Sequence, residues 1–252
     1  MTIEEIIEND KIQSSIWKER MIQYNDVKTY SLNFGFLEYA LAVKAIKDKK
    51  IQNSKQNFYT ASLIDELRIS KYNVDLFTYG LPSICYPILS DNEELIQRYA
   101  RLRYQPWGKM MGMNENVILG KSDVWCNTVQ FFMASDNAGV ERNLNIIETK
   151  TLKNLPKKED GLKDDYDFYK AMHASDKAKM EEVLEKLVSP KIHKKRNDNP
   201  ILNQYISLPA LGYAKLAWRK GIEVGVNSRL IPKELLPIQP LDKYEIPYDF
   251  LE

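Results

Sequence analysis

The 252-residue chain is poor in the residues that most catalytic and metal-binding designs need: it has two histidines and two cysteines. Zinc, haem and iron–sulfur sites take several such ligands, and nucleophilic triads rely on a histidine as proton carrier, so those classes are short of parts. It also lacks an excess of charge of either sign. Lys plus Arg number 36 against 35 for Asp plus Glu, a net charge of +1. Bulk charge thus excludes a strongly basic nucleic-acid binder and an acidic nucleic-acid mimic. No apolar run approaches the roughly 18–20 residues that span a membrane, and even residues 37–46 carry Glu38 and Lys44. Residues 1–13 are acidic and amphipathic, without the cationic start, apolar centre and cleavage site of a secretory leader. Cys85 and Cys126 sit in apolar surroundings with no Cys-x-x-Cys spacing. They read as small buried hydrophobes in a reducing compartment, which places the protein in the cytoplasm.

What is present is helical periodicity. In residues 176–188, Met180, Val183, Leu184, Leu187 and Val188 form one stripe, with Lys and Glu covering the other face. Pro190 should stop that helix. Thr2 with Glu5, and Ser90 with Glu93, have capping-box spacing. Asn199 and Pro200 should open a long apolar helix that Pro209 kinks or splits and Gly221 ends. Helices are expected near 2–24, 34–50, 54–70, 74–81, 91–104, 122–135, 138–153, 164–174, 176–188 and 200–220. Pro82 and Pro87 make the stretch before Ser90 irregular, and a short helix is expected from Pro232 to Leu236. Convincing strand alternation is missing; residues 222–226 could add at most an edge piece.

The fold class is therefore all-α: about ten helices packed as antiparallel hairpins, a repeat-like array without a strict sequence repeat. The chain reads as one helical domain over 1–252, with a subdivision at 1–105 and 121–252 around a glycine- and methionine-bearing loop, 105–120. A second, solvated loop falls at 155–165. After Gly221, Pro232, Pro237, Pro240 and Pro247 exclude a long helix, while Tyr244, Tyr248 and Phe250 need a surface to pack on. That segment should lie along the helices as an extended strap.

Chemical motifs give little. Gly120-Lys121-Ser122 precedes a helix, but the first glycine of a phosphate loop would be Glu115, so Ser122 reads as a helix cap. His173 ends a helix and His193 lies in a basic run; no Gly-x-Ser-x-Gly elbow exists. Glu159, Asp160, Asp164, Asp165 and Asp167 cluster without EF-hand spacing and read as a solvated face, or as an acidic patch for a basic partner. Arg98, Arg101 and Arg103 beside Tyr99, Tyr104 and Trp107 resemble a base-stacking pattern, though Arg98 and Arg101 fit the polar face of a helix. Tyr occurs 15 times against Phe 8 and Trp 4. Tyr and Trp favour protein interfaces, so the tyrosines either line helix grooves or share a partner surface with the loop 105–120.

Tyr79-Gly80-Leu81-Pro82-Ser83-Ile84-Cys85-Tyr86, and the stretch from Pro209 to Pro237 with its Pro- and Tyr-bearing tail, resemble the all-helical immunity proteins of bacterial polymorphic toxin systems. The similarity is greatest to immunity protein family forty-nine. A related helical family that protects against nuclease toxins has a different aromatic pattern in its C-terminal helices. The resemblance implies a non-enzymatic protein without cofactors, whose partner is a cognate toxin domain rather than nucleic acid or a membrane. It carries no contact motif. Contact residues are therefore drawn from the residues themselves: Trp107, Met110, Met111 and Met113 on the long loop, then Asp164, Asp165 and Asp167. Two alternatives stand beside this reading, a helical adaptor that binds a peptide in a groove and a hydrolase working through carboxylates alone.

Overall fold

The computed structural model describes residues 1–79, 81–159, 161–197 and 199–252. Gly80 and Asp160, both named above, lie outside the described residues. Twelve α-helices and no strand are found among those described: α1 (Ile3–Tyr24), α2 (Val27–Lys47), α3 (Ile51–Ser70), α4 (Pro82–Ser90), α5 (Glu93–Arg101), α6 (Met113–Ile118), α7 (Asp123–Met133), α8 (Asn137–Ile146), α9 (Leu162–His173), α10 (Lys177–Leu187), α11 (Pro190–Arg196) and α12 (Leu208–Arg219). The fold is all-α.

The hairpins share one local device. A residue in the left-handed region ends a helix, and the next residue caps the following one. Asn25, Ser135 and Ser175 have φ of 49°, 56° and 55°, and Asp26, Asp136 and Asp176 accept from the backbone N–H of Thr29, Gly139 and Lys179. In each case paired backbone bonds close the helix end, as with Ser135 N–H to Phe132 O and Asp136 N–H to Phe131 O. Asn or Ser takes the left-handed position, and in each case an aspartate caps the helix start. Such tight connections fold each helix back on its predecessor. Accordingly α1 packs on α2, α7 on α8 and α9 on α10, while α2 turns onto α3 through Lys49, with φ of 58° and no side-chain cap.

Some expectations need correcting. Thr2 and Glu5 do form a capping box, but Asn92, not Ser90, caps α5 by accepting from Leu95 N–H at 2.8 Å. Ser90 instead ends α4 and donates to Pro87 O. Pro82 starts α4 at its first turn, where its missing N–H costs nothing, and Pro87 is carried inside a helix buried from Ile84 to Ser90. Pro190 stops α10 and at the same time starts α11. Residues 105–120 contain α6. Residues 200–207 hold only a short 3-10 turn (Leu202–Gln204), with Asn199 accepting from Ile201 and Leu202 N–H; α12 starts next to Pro209.

Across the molecule, α4 crosses α12. A Cβ on Gly212 would lie 2.4 Å from Cys85 Sγ, so only glycine allows this approach. One continuous apolar core runs from Ile3 to Leu236, and both cysteines are buried within it and form no disulfide. After Gly221 the chain lies against α2, α3 and the end of α4. Lys55 Nζ donates to Gln239 O (2.6 Å), Lys215 Nζ to Pro237 O (2.7 Å), and Tyr244 OH to Ser90 O (2.7 Å). Asp91 anchors these contacts. Its carboxylate meets Lys215 Nζ at 2.7 Å, Lys55 Nζ at 2.8 Å and Arg219 Nη1 at 3.7 Å, and accepts from Gln239 N–H. Farther on, Tyr248 and Phe250 close over Phe34, and Tyr248 OH donates to the buried Glu38 at 2.5 Å.

Candidate functional site

The clearest candidate surface is the tip of the chain between α5 and α7. Its base is fastened at several points. Asn73 clamps Gln105 from both sides, donating to its carbonyl (2.7 Å) and accepting from its N–H (2.6 Å). Tyr104 is buried; its hydroxyl donates to Asp123 at 2.5 Å and accepts from Asn116 at 2.8 Å, while Thr78 also donates to Asp123. Burial pushes the Asp123 carboxyl above its ordinary range, against the Tyr104 and Thr78 hydrogen bonds that lower it. Met113 and Val117 of α6 are buried in the core, which turns this short helix into an anchor.

Above the base, Trp107 and Met110 exchange two backbone hydrogen bonds of 3.0 and 2.9 Å around Gly108, whose φ is +59°. That turn is a tight hairpin in which glycine takes the positive φ without strain. Gly112 is required for another reason: a Cβ there would meet Pro106 Cδ at 2.7 Å. Trp107 is 71% exposed, Met110 49% and Met111 40%, with Ile118 and Leu119 also in solvent at the end of α6. Lys121 Nζ lies 3.4 Å from Met111 Sδ, and Lys150 Nζ donates to Ile118 O. An indole and two thioethers held in water by a fastened base have the makings of a protein contact. Trp and Met are enriched at interface cores, and an ordered loop loses less entropy on binding.

Of the sequence candidates, Trp107, Met110 and Met111 share this tip. Met113 does not; it points into the core and cannot touch a partner directly. Asp164 and Asp165 are not a solvated face either. Asp164 pairs with Lys186 at 2.5 Å. Asp165 is fully buried, held by Arg196 Nη1 and Nη2 (2.6 and 2.8 Å) and by Tyr213 OH. Tyr213 OH is 2.9 Å from Tyr169 OH, and its ring stacks on Phe168. These two aspartates hold α9, α10, α11 and α12 together; Asp167 alone of the three is partly exposed.

His193 also departs from expectation. It is buried in α11, with Nε2 2.7 Å from Asn203 O and Nδ1 3.0 Å from Asn197 Nδ2. Arg98 is a structural ion-pairing residue, bidentate to Glu66 at 2.7 and 3.0 Å. Ser122 holds the cap position of α7 without a side-chain capping bond. Ile118 and Leu119 were missed as candidates because they read as part of a loop pattern; they are exposed where the short helix α6 ends. Among the described residues no group of three or more His, Cys, Asp or Glu is placed to hold a metal ion, and no helix is long and apolar enough to cross a membrane.

Comparison with known proteins adds one finding. No curated protein and no solved structure matches the chain. The family described as Immunity protein 49 does match, over residues 37–235, a span that includes α3 to α12, the tip at 105–112 and the Asp91 and Asp165 clusters. The match covers most of the chain, and on it the protein belongs to the Immunity protein 49 family.

Proposed function

We propose that this immunity protein neutralises one cognate toxin by direct binding, without catalysis, and that it does so in the cytoplasm, where its two thiols stay reduced. The observation that carries the reading is Trp107, kept mostly in solvent on a hairpin whose base is buried and hydrogen-bonded. Exposed aromatic and thioether side chains grouped on a fastened base are the pattern of a protein contact. The aromatic would enter a pocket on the toxin, with Met110 and Met111 adapting around it. The polar clusters described above are internal supports, so the surface rather than a reaction centre performs the task.

Co-expression with the toxin domain encoded beside this gene tests the reading. Trp107→Ala with Met110→Ala should weaken binding by about 2–4 kcal/mol, the size expected for a central aromatic anchor, with the melting temperature unchanged. Isothermal titration and thermal melts measure the two quantities. Wild-type protein that fails to form a complex or to protect the cell would reject the proposal.

A further inference from the structure

A cleft of about 640 Å³ opens where the end of α2, the start of α3 and the chain after Val226 meet. Its apolar lining includes Ile46, Ile51 and Ile231. Its rim carries Lys49, Arg229 and Lys233 against a single acid, Glu234. All three cations are exposed, and none has an ion-pair partner among the described residues. Lys47 stands beside them, committed to Glu4 at 2.6 Å and placed over the Tyr205 ring.

The walls are fastened rather than loose. Lys49, with φ of 58°, closes α2 through its N–H to Ile46 O, and Lys50 N–H bonds Ala45 O. On the other side Ile231 N–H bonds Ser228 O, and Ser207 N–H bonds Leu230 O. Residues nearly two hundred positions apart in the chain thus gather free positive charge around an apolar floor. The whole molecule is close to neutral. Such a rim complements a local surface of opposite sign, since a near-neutral molecule has little long-range field to attract a polyanion.

Resting on the toxin-binding reading above, we propose that this cleft docks an acidic segment of the toxin, a stretch in which carboxylates flank an apolar side chain. The carboxylates meet Lys49, Arg229 and Lys233, and the apolar side chain lies on Ile51 beside Ile46. A nucleic acid fits less well. The one aromatic of the cleft, Tyr205, is already covered by Lys47, leaving no stacking platform for bases.

The test uses the full chain, a short fluorescent peptide alternating glutamate with leucine, its lysine-for-glutamate counterpart, and an oligothymidylate. The triple variant K49E/R229E/K233E changes only exposed side chains, and a thermal melt checks that it stays folded. The expected result is peptide binding to wild type that weakens with added salt and falls about tenfold or more in the triple variant, no binding of the lysine peptide, and loss of protection against the toxin. Equal peptide binding by both proteins, or tighter binding of the oligothymidylate at this cleft, overturns the inference. Full protection by the triple variant overturns it too, while leaving toxin neutralisation through the Trp107 tip standing. Wild type that binds the peptide but not the toxin overturns both.

Discussion

Two buried carboxylates hold this molecule together in opposite electrical conditions. Asp165 meets one guanidinium and one tyrosine hydroxyl, so its charge is balanced. Asp91 meets two lysines and an arginine, so positive charge is in surplus, even with the exposed Glu93 pairing Arg219 at the edge. A balanced pair suffers alike whichever member is removed, because the survivor is left charged and dry. A cluster with surplus cations depends on its lone carboxylate far more than on any one cation. The difference also has a location: Asp165 joins helices to each other, whereas Asp91 joins the helical body to the segment at 237–239.

Removing Asp91 should therefore have the largest effect. Asp91→Ala strands two buried ammonium groups and is expected to cost about 5 kcal/mol, read as a lowered midpoint in denaturant titration. Next comes Arg196→Met, which leaves Asp165 without its cation and should cost about 3–4 kcal/mol by the same measurement. Lys215→Met should cost only about 1 kcal/mol, because Asp91 keeps Lys55 and Arg219 and the loss is mainly the bond to Pro237 O. Equal losses from Arg196→Met and Lys215→Met would erase the contrast between the clusters.

The pH dependence is smaller and carries the same signature. Burial pulls Lys215 down to about 8, against the attraction of Asp91 and with repulsion from Lys55 and Arg219 added to it. The folded state therefore gives up this proton before the unfolded chain does, so this contribution to stability rises as pH goes from about 8 to 10.5 and is lost again on return to about 8. Lys215→Met should flatten that rise in stability curves taken across the window. Glu38 behaves in the opposite sense. Burial raises it from 4.5 to about 7, against the Tyr248 hydrogen bond. Its contribution is fully present below about 4.5 and is lost as pH rises through about 7; Glu38→Gln should remove that decline.

Much of the helical skeleton was readable in the amino-acid order. The stripe of α10, the Thr2 capping box and the stop at Gly221 all depend on neighbours within a few residues. The exceptions have local reasons as well. Pro82 and Pro190 look like breakers, yet each takes the first helical turn, where no N–H is needed. The Trp107 tip was visible as an aromatic and methionine cluster, whereas the burial of Met113 was not, because a single-turn helix carries too short a pattern to show its inner face. Asp164 and Asp165 looked like solvated charge since their partners, Lys186, Arg196 and Tyr213, lie in other helices.

By itself, then, the order of residues determined the helical class and most helix ends, because caps, periodicity and proline act over one or two turns. Only the tertiary structure decided which carboxylates are dry, which thioethers stay in water, and that Lys49 faces Arg229 and Lys233 across a cleft. Those outcomes come from contacts between distant segments, whose strength depends on burial and geometry that no stretch of sequence holds alone.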